Sequence, residues 1–439
     1  MKRFHFLLAL KPVIFLLALP VISGLLWVSC GKSGGAGSAT KTDTTATTTI
    51  KYIDTLPDNT PMTHPGGLQV AEDFVRMKAN LTTEPWLSGW NKLIANSHAQ
   101  LSYSPNPTVK LIRGGSSAEE PDPDNYWNAY NDVAAAYQTA IRWKVTGDTN
   151  YANKSIQILN AWAATCIGIY GDPNSALAAG IYGFQFAVAG ELMRDYSGWK
   201  PADFQAYQQW MLKVFYSYNQ SFLIGHQNSC PEHYWSNWDL CNLASAMAIG
   251  ILTDQRVIYN YVVNYLQHSS NGNGNIQKAI NYVFTGTDAG LAQLQESGRD
   301  QGHATLVIAL LGPICEMAYH QGDDFYGFND NMLLKACEYT AKYNVALLDV
   351  PFHSFEYYTC VWYPTLTPNP ITQIGSDSRG AIRPMYALPY NHYAKLKGLS
   401  APYTLMGVNQ SQPEGGGGDY GPNSGGFDQL GFGTLLYSR

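Results

Sequence analysis

The sequence of 439 residues predicts an all-α protein, an (α/α)6–7 toroid, which is an incomplete barrel of helical hairpins with a short C-terminal segment docked on it. Three observations predict this fold. Apolar residues recur at helical spacing in about a dozen segments after Pro65. Short turns join these segments. Some of them, such as Leu243–Leu252, have almost no polar face, which is typical of an inner helix buried on both sides.

The predicted helices follow one another along the chain, and no βαβ alternation or long strand precedes the C-terminus. Pro201 begins one helix, where its missing N–H is harmless. The predicted ranges are Leu68–Leu81, Trp86–Ala99, Ala129–Thr146, Tyr151–Cys166, Ser175–Tyr196, Pro201–Gln220, Asp239–Leu252, Asp254–Gln267, Asn275–Val283, His303–Gln321, Met332–Leu347 and Ala381–Leu396. An α-solenoid or a tetratricopeptide-like bundle is the alternative, although no repeat of about 34 residues is found.

The two ends of the chain differ from this helical pattern. Residues 1–29 resemble a lipoprotein signal peptide, with Cys30 as the lipidation site, and an uncleaved anchor helix is the alternative. The Gly/Ser/Thr/Ala-rich stretch from Gly31 to Thr49 predicts a flexible tether, assigned to residues 30–60, and residues 61–439 are predicted to form the toroid. Apolar residues in 427–437 predict a segment docked back on that domain. We therefore expect an exported protein, lipid-anchored in the bacterial periplasm or at the outer membrane or cell surface.

Charge and cysteine content narrow the possible partners. Lys and Arg number 27 against 33 Asp and Glu, a net charge of −6, and there is no basic run. This argues against nucleic acid binding. The seven cysteines form no CxxC pair, which argues against a zinc cluster. We expect no metal or cofactor. Cys241, Cys315 and Cys337 are predicted to be buried thiols. A Cys230–Cys360 disulfide is possible, and we expect a monomer.

Three polar clusters lie beside apolar helices. They are the segments 231–242, 295–303 and 379–393. Loops at one end of the inner helices of a toroid converge, so these clusters predict a common cavity. His303 begins an apolar helix, whose dipole disfavours the cationic imidazole and leaves a base. The alternatives are structural: an ion-pair network at Glu296, Arg299 and Asp300, a helix cap at Asn237, and packing of the aromatic rings.

The block Glu296-Ser-Gly-Arg-Asp-Gln-Gly-His303, with 237–242 before it and 315–326 after it, resembles the alginate lyase superfamily of helical-toroid polysaccharide lyases. It is similar in particular to polysaccharide lyase family 38. Weaker matches lie at 131–137, 143–148 and 179–185. The resemblance covers about residues 65–437. It implies cleavage of a uronate polysaccharide, alginate or glucuronan, by β-elimination that leaves 4,5-unsaturated uronate ends.

The resemblance also implies residue roles. Asn237 and Arg299 would neutralise the uronate carboxylate, and His303 would exchange protons. Many relatives carry a catalytic Tyr shortly after the Arg/His segment, but here no Tyr occurs before Tyr319. We expect Tyr390 to supply the hydroxyl, with Tyr182, Tyr234 and Tyr358 as alternatives. The residues expected to bind substrate are Trp238, Glu296, Tyr182, Gln185, Arg383 and His392.

Two other functions stay open from the sequence. A glycoside hydrolase on the same toroid needs two carboxylates flanking the bond, and Glu296 and Asp300 are the best pair. A non-catalytic glycan-binding lipoprotein needs only aromatic platforms, for which 30 Tyr and 11 Trp offer material.

Overall fold

The computed structural model describes residues 50–360, 363–417, 419–420 and 427–439, and Ile50–Arg439 form one compact unit. Short π-helical turns, Met211–Tyr216 and Asn391–Leu396, continue two of the helices. The helices are α1 (Ala71–Asn80), α2 (Trp86–Ala95), α3 (Trp127–Thr146), α4 (Thr149–Thr165), α5 (Ser175–Met193), α6 (Pro201–Trp210), α7 (Ser217–Gly225), α8 (Ser236–Leu252), α9 (Arg256–His268), α10 (Ile276–Ala279), α11 (Gln301–His320), α12 (Phe328–Asn344), α13 (Ala387–Tyr390), α14 (Pro402–Ser411) and α15 (Gly433–Tyr437).

The inner layer consists of α3, α5, α8 and α11, each packed against the next, while α4, α9 and α12 pack on their outer side. Nearly all residues of α5 and α8 are buried. A Cβ on Gly180 would lie 2.3 Å from the Cys241 Sγ, so glycine allows α5 and α8 to approach closely. This arrangement confirms the predicted toroid of inner and outer helices. It also aligns the N-terminal ends of α8 and α11, which carry two of the predicted clusters.

The C-terminal segment closes the ring. Helix α15 packs against α1, α2 and α13. The Gln69 side chain donates to the Tyr437 hydroxyl at 3.0 Å, and the Phe427 ring stacks on Tyr130 with a centroid distance of 4.0 Å. The predicted docking of this segment is confirmed. Two inner helices, α5 and α11, are long and apolar enough to cross a membrane by length and composition, but both are mostly buried in the domain.

Six short strands interrupt the helical pattern. The strands β1 (Lys110–Ile112) and β2 (Gly168–Tyr170) pair in parallel, while β3 (Tyr282–Val283) pairs antiparallel with β4 (Ala292–Gln293). The longest pair is the antiparallel hairpin of β5 (Phe355–Thr359) and β6 (Thr367–Ile371), in the register Phe355↔Ile371. The sequence did not predict this hairpin, because Pro368 and Pro370 argue against a strand. An edge strand tolerates proline, since its outward N–H needs no partner.

Two predicted helices were wrong in their extent. The helix expected over Asn275–Val283 is only the single turn α10, after which the chain enters β3. The helix expected over Ala381–Leu396 begins at Ala387. Pro384 explains the later start, because a proline removes a backbone donor and biases the residue before it towards extended conformations.

The N-terminal segment of the domain lies against the outer helices through side chains that hold its backbone. The Gln267 side chain binds the backbone of Ile53 at both N–H and C=O, and Arg256 donates to the carbonyls of Thr60 and Pro61. His64 lies between two carboxylates: its Nδ1 is 2.7 Å from Glu191 and its Nε2 is 2.7 Å from Asp254. The segment is thereby fastened to α5 and to the turn before α9.

The His64 contacts predict a pH-dependent stability. Burial and the charge of Arg194 lower the pKa of His64, but the hydrogen bonds to Glu191 and Asp254 and the charge of Glu191 outweigh them, so the pKa is raised above its ordinary value. A raised pKa means that the stabilisation is complete below the unfolded value of about 6.5 and is lost as pH rises through the folded value. We therefore expect His64→Gln to lower the melting temperature more at pH 5.5 than at pH 8.5. An equal loss at both pH values would contradict this assignment.

Candidate active site

A cavity of about 490 Å³ opens where the inner helices present their N-terminal ends. Residues from seven separate stretches of the chain line it, which brings together residues far apart in sequence. Its lining residues are Arg113, Tyr126, Tyr130, Asn174, Leu177, Ile181, Tyr182, Asn237, Trp238, Arg299, Asp300, Gly302, His303, Leu306, Ser378, Arg383 and Asp428. The expected residues Asn237, Trp238, Arg299, His303, Tyr182 and Arg383 are all among them.

Asp300 holds His303 in one orientation. It is the N-cap of α11, where its Oδ1 accepts from the His303 backbone N–H at 2.8 Å. Its Oδ2 lies 2.6 Å from the His303 Nδ1. Although burial raises the pKa of Asp300, the hydrogen bonds and charge of His303 and the charge of Arg299 lower it below its ordinary value. The ionised carboxylate favours the Nδ1–H tautomer, which leaves the lone pair on Nε2 of a ring that is 40% exposed.

Arg299 is partly exposed to the cavity and is attracted by two carboxylates. Its Nη1 lies 3.5 Å from the Glu296 Oε2 and its Nε lies 3.6 Å from the Asp300 Oδ2. Its guanidinium carbon lies 5.6 Å from the centroid of the Trp235 ring. Burial raises the pKa of Glu296 to about 6, although the charges of Arg299 and His303 oppose the rise. Glu296 is therefore a fully buried partner of Arg299, and the expectation that it binds substrate stays a prediction.

Asn237 connects α8 to α11. Its side-chain Nδ2 donates to the His303 carbonyl at 2.9 Å, and its backbone N–H donates to the Glu296 Oε1 at 3.2 Å. The Oδ1 atom has no hydrogen-bond partner among the residues that the structure describes. Because an amide nitrogen carries two N–H groups, the second one and the unpaired Oδ1 remain for a ligand. A buried acceptor without a partner costs about 1–3 kcal/mol, which is typical of a binding site.

Sequence reasoning missed Arg113, Tyr126 and Tyr130. Arg113 follows β1, its Nη1 donates to the Tyr182 hydroxyl at 3.4 Å, and its guanidinium carbon lies 5.1 Å from the Tyr126 ring centroid. Within the described part of the chain it makes no salt bridge. Tyr126 and Tyr182 stack, with Tyr130 beside them. The only signal in the sequence was an arginine before Gly114, which has a φ of +85° and no room for a Cβ.

Arg383 lines the cavity but uses its donors for the protein. It donates to the Thr305 hydroxyl at 3.2 Å, to the Gly302 carbonyl at 3.2 Å and to Asp428 at 3.1 Å. These contacts join the N-terminal turn of α11 to the C-terminal segment. Arg383 was expected to bind substrate carboxylates, but most of its guanidinium donors are already bound to protein groups.

Besides Glu296, three expected site residues lie outside the cavity lining. Tyr390, at the end of α13, packs against the core, with the Lys395 ammonium 5.9 Å from its ring. His392 stacks on Tyr326 at 3.6 Å, and burial lowers its pKa to about 3. Gln185 donates to the Phe427 carbonyl at 2.7 Å and so holds the C-terminal segment. The chain after Arg383 turns into the helical layer, which takes Tyr390 and His392 away from the cavity, and Gln185 is bound to the C-terminal segment. Their expected roles stay predictions.

The structure also settles the cysteine expectations. Cys230 and Cys360 form a disulfide. Cys166, Cys241, Cys315 and Cys337 are free and buried. Burial was predicted for Cys241, Cys315 and Cys337.

A family model for alginate lyase matches residues 113–348, which is more than half of the chain. The chain belongs to the alginate lyase family. It is a polysaccharide lyase. Its fold is similar to that of alginate lyase A1-III from Sphingomonas species A1, with a TM-score of 0.57, 17% identity, and 87% of this chain and 98% of that chain covered.

Two further solved structures are similar to this lyase. One is a variant of alginate lyase A1-III complexed with tetrasaccharide, with a TM-score of 0.57 and 15% identity over 87% of this chain and 98% of that chain. The other is an alginate lyase from Bacteroides ovatus, with a TM-score of 0.55 and 12% identity over 79% of this chain and 96% of that chain. No curated protein matches the chain. At these identities the likeness concerns the fold.

Proposed function

We propose that this lyase cleaves a uronate polysaccharide, alginate or glucuronan, by β-elimination in the cavity described above. The observation that carries the proposal is the Asp300–His303 pair beside Arg299 and Asn237. The neighbouring alginate lyase that was solved with a tetrasaccharide supports the substrate class. A cavity of this size accepts a few sugar units.

The carboxylate of the substrate is neutralised first. The C5 proton of a uronate is too weakly acidic to leave unless the negative charge that grows on the carboxylate is stabilised. Arg299 offers a bidentate fork, and Asn237 offers its second N–H. Arg113, which lines the same cavity beside Tyr126 and Tyr182, binds the carboxylate of a neighbouring uronate. The overall charge of −6 does not oppose this, because nearby guanidinium groups dominate within a Debye length of about 10 Å.

The proton transfers then follow from the tautomer of His303. Its Nε2 takes the C5 proton, and the electron pair forms the C4–C5 double bond while the C4–O bond breaks. Asp300 stabilises the imidazolium that results. The Tyr182 hydroxyl protonates the leaving glycosidic oxygen. Burial raises the pKa of Tyr182 although Arg113 opposes the rise, so the phenol keeps its proton at neutral pH and suits an acid.

The arrangement does not favour hydrolysis. Glu296 is fully buried and is bound by the Asn237 backbone, while Asp300 caps α11 and binds His303. Neither carboxylate is placed to flank a glycosidic bond with a water molecule between them, which an inverting hydrolase needs.

We also propose that the enzyme is exported and lipid-anchored through Cys30, in the periplasm or at the outer membrane or cell surface. The residues that carry this prediction, 1–49, lie outside those that the structure describes. The Cys230–Cys360 disulfide supports export, since disulfides persist in oxidising compartments.

A substrate panel tests the reaction. The purified enzyme is incubated with alginate and with glucuronan, and the products are followed by ultraviolet absorbance and mass. We expect 4,5-unsaturated products whose masses show no added water, and no such products from Arg299→Ala. Cleaved products that carry one added water each and no ultraviolet absorbance would contradict the proposal in favour of hydrolysis.

Asp300→Asn tests the base. Asparagine is as good an N-cap as aspartate, so α11 keeps its start and the melting temperature should change little. The amide does not favour the Nδ1–H tautomer or stabilise the imidazolium, so we expect kcat to fall by about 100-fold or more. A variant with wild-type kcat would show that His303 does not act as the base.

A further inference from the structure

We infer that residues 355–360 and 363–377, here called the bracket, position the Arg299 guanidinium, with Trp235 and Tyr357 as the positioning residues. The bracket contains the β5–β6 hairpin and the return from β6. It lies beyond the residues that the family model matches. The inference rests on the proposed function, because it gives the bracket a role in the same reaction.

The first end of the bracket is fastened to the loop that precedes α8. The disulfide joins Cys360 at the end of β5 to Cys230. The Cys360 backbone N–H donates to the His233 Nδ1 at 3.2 Å, and the Tyr357 hydroxyl donates to the His233 carbonyl. A covalent bond and two hydrogen bonds thus fix β5 against the residues just before Asn237.

The second end is fastened to the loop that carries Arg299. The Gly375 N–H donates to the Ser297 carbonyl at 2.9 Å, and the Gln301 N–H donates to the Asp377 carbonyl at 2.9 Å. The Gln301 side chain donates to the Gly375 carbonyl at 2.7 Å. A Cβ on Gly298 would lie 2.3 Å from the Ile371 Cγ2, so the bracket packs directly on this loop. Its backbone contacts flank Arg299 on both sides.

Between the two ends, aromatic rings support the guanidinium. Tyr357 stacks on Trp235 with a centroid distance of 4.0 Å and an interplanar angle of 18°, and the Arg299 guanidinium carbon lies 5.6 Å from the Trp235 ring. The Glu296 Oε2 lies 3.5 Å from the Arg299 Nη1, and the Asp300 Oδ2 lies 3.6 Å from the Arg299 Nε. At these distances the carboxylates attract the guanidinium but do not fix its orientation. The stacked rings of Trp235 and Tyr357 orient the guanidinium, and the β5–β6 hairpin holds the Tyr357 ring in place.

The test compares kcat and KM of four full-length proteins on the uronate polymer that the wild type cleaves. Tyr357→Leu removes the ring behind Trp235, and Tyr357→Phe keeps the ring. Tyr282→Leu is the matched control, because Tyr282 stacks on His353 at 3.9 Å and makes no contact with Arg299. We expect Tyr357→Leu to lower kcat by about 100-fold, as for a displacement of about 1 Å at a reacting centre. Tyr357→Phe and Tyr282→Leu should stay within about 3-fold of the wild type.

A second measurement separates positioning from a general loss of structure. In an Arg299→Lys background, where no guanidinium remains to be oriented, Tyr357→Leu should lower kcat by less than about 3-fold. Cys230→Ser should reproduce the kcat loss of Tyr357→Leu in the wild-type background. Equal losses in both backgrounds, or equal losses for Tyr357→Leu and Tyr282→Leu, would overturn the inference and leave the proposed function standing. A wild type without unsaturated product would overturn both.

Discussion

The carboxylate of Asp300 is the group on which the site depends. One oxygen caps α11 and the other binds the His303 ring, so the start of an inner helix and the orientation of the proposed base have the same cause. The same carboxylate lies 3.6 Å from Arg299. Because α11 is packed between α8 and α12, this local geometry is held by the ring of helices. The site is therefore as rigid as the inner layer.

Other side chains connect the Asp300–His303 pair to the rest of the domain. Asn237 binds the His303 carbonyl from α8, which connects two inner helices at the level of the cavity. Arg383 and Asp428 join α11 to the C-terminal segment. Arg113 and Tyr182 also line the cavity, and no residue in the described part of the chain forms a salt bridge with the Arg113 guanidinium. Both guanidinium groups therefore line the same cavity, Arg299 beside two carboxylates and Arg113 beside tyrosines.

The part of the site that lies within one turn of helix was predictable from the sequence. Arg299, Asp300 and His303 are close in the chain, and a cap followed by an apolar helix gives their relative positions. Arg113 was not predictable, because it reaches the cavity only through the pairing of β1 with β2. The positions of Tyr390 and His392 away from the cavity were not predictable, because the sequence did not reveal that this part of the chain turns into the core. The β5–β6 hairpin was not predicted, because Pro368 and Pro370 argue against a strand.

The most direct test of the central claim is a single-turnover rate with a uronate substrate deuterated at C5. If the His303 Nε2 removes that proton while Arg299 and Asn237 neutralise the carboxylate, deuterium should slow the appearance of the unsaturated product. Equal rates for the deuterated and ordinary substrates, together with cleavage that incorporates water, would contradict the account.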